Sequence, residues 1–114
     1  MESERKHWTL EAAREIVGDV RARTERAVRE SDRIVAERDA PAADLRARAR
    51  AEERLQGVIG RWAREMEALG LEVKGLWLVD FDNGSGYYCW RWPEANLEHF
   101  HGYDEGFAGR IRIQ

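Results

Sequence analysis

Few side chains in this sequence could do chemistry, and most of them fall between residues 76 and 110. That stretch, LWLVDFDNGSGYYCWRWPEANLEHFHGYDEGFAGR, holds the only Cys, two of the three His, all three Tyr and three of the five Trp. His99 and His101 stand two apart, so in a strand both rings point to one side, a start toward holding a metal ion. Asp80, Cys89, Glu94 and Asp104 could extend that ligand set, but no diagnostic metal-binding spacing is present. The bland alternative is a satisfied, partly buried His101 beside a solvent-facing His99. The residues alone assign no metal and no cofactor.

Cys89, between Tyr88 and Trp90, reads first as a small buried hydrophobe. As a nucleophile it would need a neighbouring cation or base, for which Arg91 and His101 are the candidates. The run GYDEGFAGR offers another possibility. Backbone N–H groups around Gly106 and Gly109 could receive an anion, with the Arg110 guanidinium behind them. The competing reading is a tight turn with Gly106 and Gly109 at positive φ, Asp104 capping amides and Phe107 in the core. Arg110 would then pair with Asp80 or Asp104. Arg46, Arg50 and Arg54 form a basic stripe at i,i+4 spacing, which among so many acids reads as a solvated face.

Charge limits the partners. The net charge is −3; residues 1–70 carry 15 basic and 15 acidic side chains, and residues 71–114 carry 4 against 7. That distribution leaves no footprint for nucleic acid or an anionic membrane. No apolar run is long enough to span a bilayer, and MESERKHW lacks a signal-peptide core. With a single Cys, which forbids an internal disulfide, these features predict a cytoplasmic protein. Charged residues make up 36% and aromatic residues 10%, which argues for a folded chain with a large polar surface rather than disorder. The length suits one domain.

Two long helices must position the reactive stretch. Met1–Lys6 is polar and expected to fray. Thr9 is an N-cap candidate, Trp8 a staple over Ala13, and the first helix is predicted from Thr9 to Arg38. Its seam is Leu10, Ala13, Val17, Val20, Thr24, Ala27, Ser31 and Ile34. Pro41 starts a second helix running to Leu69, with the seam Leu45, Arg48, Glu52, Leu55, Ile59, Trp62, Met66 and Leu69. Gly70 is the expected left-handed C-cap. The helices form an antiparallel hairpin, weakly cored at its tip. Ile16, Val28, Val35 and Val58 beside the seam are expected to recruit a second copy and so make a homodimer.

Past Leu71 the pattern becomes strand-like. Asn83-Gly84 predicts a type I′ hairpin. Leu76, Leu78, Asp80, Tyr87, Cys89 and Arg91 then share one face, and Trp77, Val79, Phe81, Tyr88, Trp90 and Trp92 the other, which suits the helices. Leu97–His101 and Arg110–Ile113 read as two further strands. The predicted fold is α+β, a single domain with a helical hairpin (1–70) packed at its base on a small, mostly antiparallel β-sheet module (71–114) of three or four strands.

The ordered set LVDF (Leu78–Phe81), Cys89-Trp90, His101 and GFAGR (Gly106–Arg110) resembles the bacterial family known as domain of unknown function 2203. TLEAA at Thr9–Ala13 and LEVKG at Leu71–Gly75 extend the resemblance over nearly the whole chain. It implies recurring positions at Lys74, Val79, Asp80, Phe81, Cys89, Trp90, Glu94, His101, Asp104, Gly106, Phe107, Gly109 and Arg110, and it does not include His99. Pro93 stands where the family commonly has Gly, Phe100 where it commonly has Trp, and the loop after Phe81 is shorter. No activity follows from membership. Two expectations result. One is a non-enzymatic interaction or scaffold module that self-associates through its helices. The other is a small-ligand or metal-dependent activity at Asp80, Cys89, Glu94, His101, Asp104 and Arg110.

Overall fold

The computed structural model describes residues 7–114; the expected fraying of Met1–Lys6 lies outside them. Helix α1 spans Leu10–Asp39 and α2 spans Leu45–Ala68. Five strands follow: β1 Glu72–Gly75, β2 Leu78–Asp82, β3 Gly86–Arg91, β4 His99–Gly102 and β5 Ile111–Arg112. They form one sheet in the order β1-β2-β3-β4-β5, every pair antiparallel. The architecture is α+β as the sequence predicts, with one strand more than expected.

Thr9 caps α1, its side chain accepting from the Ala12 amide. Ala13, Val17, Val20, Thr24, Ala27, Ser31 and Ile34 are buried in the predicted register. α2 begins later than Pro41, because the Asp44 carboxylate accepts the Ala47 amide and takes the N-cap role. Its buried stripe is Ala51, Val58, Trp62 and Met66. Leu45 is 82% exposed, and Arg48 and Glu52 also face solvent. The predicted seam therefore holds at the base and fails at the tip, where Ala51 lets the helices approach more closely than Arg48 or Glu52 would. Val58, expected to face a second copy, is 4% exposed and lies inside the hairpin. Within the pair, the Trp62 indole N–H donates to Thr24 Oγ1 at 2.8 Å, and that hydroxyl donates to the Val20 carbonyl at 2.8 Å. These two buried groups thus satisfy each other, whereas the buried Ser31 hydroxyl has no partner.

Gly70 takes φ 93° and ends α2. Its amide donates to the Glu67 carbonyl and that of Leu71 to Met66, the paired bonds of a Schellman motif. The β1–β2 turn puts Trp77 at φ 59°, which aims its indole edge-on at Trp62 with centroids 4.9 Å apart. Trp8 goes further than a local staple. It packs edge-on against Phe81 at 5.3 Å and donates from its backbone to the Asp82 carbonyl.

The β2–β3 hairpin differs from the predicted one. Asp82 pairs with Tyr87, so Gly84 and Ser85 are the central turn residues, and Gly84 alone has positive φ, at 92°. That is the type II′ pattern rather than I′. Asn83 instead folds its side chain inward to accept the Ser85 and Gly86 amides. The slip is two residues, so the predicted faces survive. Val79, Phe81 and Trp90 pack with Trp8, Trp62, Met66 and Leu97 against the helices. The opposite face carries the reactive groups.

Candidate functional site

The site lies on the sheet face turned away from the helices. Alternation along β2 puts Asp80 on that face, and pairing places Cys89 of β3 directly opposite it. His101 of β4 lies across from Tyr87, one step along, and reaches diagonally to Asp80. Asp80, Cys89 and His101 are all buried, and one ligand-type atom from each lies within 4.8 Å of the others. They line a cavity of about 270 Å³ with Lys74, Leu78, Glu105, Gly106 and Phe107.

The protonation of the pair can be read from its partners. His101 Nδ1 lies 2.9 Å from the Gly102 carbonyl, which only accepts, so this nitrogen carries a proton. His101 Nε2 lies 3.0 Å from Asp80 Oδ2. A second proton therefore sits between imidazole and carboxyl. Lys74 Nζ approaches the same oxygen at 3.4 Å and lies 3.9 Å from the Tyr87 ring centroid. Burial pulls the Lys74 pKa down, but Asp80 and Glu72 outweigh it and leave it raised. Asp80 Oδ1 is buried without a hydrogen-bond partner. Burial, and then the neighbouring Asp80 carboxylate, push the Cys89 thiol up to about 12. Without a further cation it is no thiolate nucleophile near neutral pH.

Glu94 and Arg110 form the flank. Past a cis Trp92-Pro93 bond, the Arg91 amide donates to Glu94 Oε1 and the Trp90 indole to the Glu94 carbonyl. The other Glu94 oxygen pairs with Arg110, so the guanidinium's partner is neither Asp80 nor Asp104. Burial works against the Arg110 charge, yet the Glu94 carboxylate raises its pKa. Arg110 also reaches Cys89 Sγ at 4.0 Å and lies 4.2 Å from the Phe107 ring centroid.

Asp104 is exposed in the turn after β4 and does not line the cavity. Glu105 supplies the cap, accepting the Gly102 amide. Gly106 has φ −104°, and Gly109 is not among the positive-φ glycines. The Gly109 and Arg110 amides donate to the Gly106 and Phe107 carbonyls within a short 3₁₀ turn, Phe107–Gly109. These two amides are therefore engaged internally instead of pointing at an anion. Phe107 walls the cavity at the surface instead of filling the core. His99 pairs with Cys89 in register and is half-buried, with its Nδ1 covered and unpartnered.

Residue-by-residue reading missed Glu105, and the family positions included Lys74 without a role. The pairing of β1 with β2 puts Lys74 on the face of Asp80. Elsewhere, a hollow of about 150 Å³ on the hairpin is lined by Arg23, Glu30, Arg61 and Glu65. Four of its charges close on one another, Arg23 with Glu65 and Arg61 with Glu30, and Arg26 lines it as well. In the basic stripe, Arg54 is paired with Glu37.

Fold and site together define a small α+β protein: a meander sheet backed by a helical hairpin, with a buried Asp–Cys–His cluster on its free face. Residues 6–113 match the family model described as "Uncharacterized conserved protein (DUF2203)", and the chain belongs to that family. No curated protein and no solved structure matches it.

Proposed function

We propose that this protein works through its β module, binding a small polar ligand or ion in the cavity over Asp80, Cys89 and His101. One observation carries the reading: three reactive side chains, distant in sequence, converge in burial on an open cavity, and Asp80 Oδ1 there lacks a partner. A buried carboxylate oxygen without an N–H or O–H donor costs about 1–3 kcal/mol or more, which a bound cation or donor would offset. The helical hairpin serves as the support that holds β2 and β3 flat from behind. For the other reading, a non-enzymatic scaffold that dimerises through the hairpin, Ile16, Val28 and Val35 stay partly exposed beside the seam while Val58 is turned inward. Among the described residues no helix is long and apolar enough to cross a membrane. The free Cys89 thiol suits a reducing, cytoplasmic setting.

The test is a thermal-shift comparison of the native chain and Asp80→Asn against divalent cations, small carboxylates and inorganic phosphate. A ligand at a hundredfold excess over its Kd adds about 2.7 kcal/mol and raises the native melting temperature by several degrees. The expected result is such a shift in the native chain that Asp80→Asn loses. No shift with any class, or a shift unchanged in the variant, would remove this reading.

A further inference from the structure

We infer that the ligand is a divalent transition ion of the zinc class, held by Asp80 carboxylate, Cys89 Sγ and His101 Nε2; this rests on the cavity reading above. A thiolate, an imidazole and a carboxylate are the donors that zinc prefers. The second sphere is already in place. His101 Nδ1–H is held by the Gly102 carbonyl, which fixes the ring so that Nε2, the nitrogen facing Asp80, is the one able to coordinate.

The spacing is close to what an ion needs. Bonds of 2.0–2.3 Å at tetrahedral angles put ligand atoms about 3.3–3.8 Å apart. His101 Nε2 and Asp80 Oδ2 are already 3.0 Å apart and no pair exceeds 4.8 Å, so coordination asks the first pair to open slightly and the widest separation to close by about 1 Å. Binding displaces the thiol proton and the proton held between His101 and Asp80 to solvent. A dication then sits with one thiolate, one carboxylate and a neutral imidazole, so the charges sum to zero. Lys74 is 36% exposed at the side chain and already has Glu72 at 3.6 Å, so it can leave Asp80 without losing an anionic partner.

Three protein ligands leave a fourth position. Structural zinc sites close with four protein ligands, whereas catalytic ones keep a position for water or substrate. Here that position opens on the cavity of about 270 Å³ between Lys74, Leu78 and Phe107. The geometry is that of an ion with an exchangeable site and a cation beside it, suited to a small anionic ligand.

Titration of untagged, chelator-treated protein with Co²⁺ tests this directly. The expected result is one equivalent bound, with near-ultraviolet thiolate-to-cobalt charge transfer that Zn²⁺ removes by competition. Cys89→Ser should abolish that band, and His101→Gln should weaken binding at least tenfold, with circular dichroism showing that both variants fold. Absence of uptake by the native chain, or the same band and affinity in Cys89→Ser and His101→Gln, would overturn the metal site. If the native chain takes up no cobalt yet carboxylates or phosphate still stabilise it through Asp80, only the ion is wrong. If nothing binds, the ligand reading falls with it.

Discussion

Asp80 has two oxygens in unlike surroundings, one engaged by His101 and Lys74 and the other buried with no nitrogen or oxygen donor, on the face it shares with the Cys89 thiol. Cys89 beside it keeps its proton near neutral pH, and this has a measurable consequence. The folded thiol pKa is about 12, whereas an unfolded Cys ionises near 8.5. Between those values the folded state binds more protons than the unfolded one, so this group's contribution to stability falls as pH rises. The difference in stability between the native chain and Cys89→Ala, measured in EDTA, should shrink from neutral pH by about 2 kcal/mol near pH 10. Denaturant melts at both pH values check it, and a difference that stays constant contradicts it.

At the scale of elements, the site depends on how closely β3 and β4 approach. Gly86 pairs with Gly102, and a Cβ on Gly86 would meet the His101 carbonyl oxygen at 2.7 Å. That contact is backbone against backbone, so no rotamer change relieves it. Gly86→Ala should cost about 1–3 kcal/mol as an overpacked site. It should also shift the NMR resonances of the His101 ring, because the strand carrying it must move. Unchanged His101 resonances with native stability would show that the strands yield elsewhere. Gly84→Ala acts differently, through its φ of 92° and not through a clash with backbone. It should destabilise by about 1 kcal/mol and leave the site's resonances in place.

The whole molecule is elongated. Its radius of gyration is 16.4 Å and its extents are 50 × 37 × 26 Å, against about 13 Å for a compact chain of this size. The arm differs along its length. At the base α1 and α2 share a core with the sheet through Trp8, Trp62 and Met66, whereas toward the tip the buried residues are the smaller Ala27, Ser31, Ile34 and Ala51. The tip relies on exposed pairs such as Arg38 with Glu52 and Arg54 with Glu37, which contribute little individually. Amide hydrogen exchange should therefore be fastest near Asp39–Leu45 and slowest in β2, β3 and the helix bases. Uniform protection along the hairpin would contradict this and point to cover at the tip. Chain order alone determined the helical hairpin, the α1 seam, the Gly70 cap and the two faces of the β2–β3 hairpin. These follow from local periodicity, which survives even a two-residue slip in register. The α2 tip was illegible because Ala51 has no hydrophobic bulk to announce a seam. The partner of Arg110, the outward place of Asp104 and the roles of Lys74 and Glu105 were decided only by tertiary structure. For Arg110 and Lys74 this turns on which distant side chain comes within bonding distance, of which spacing in sequence carries no measure; for Asp104 and Glu105 it turns on which of two adjacent acids faces back onto the Gly102 amide.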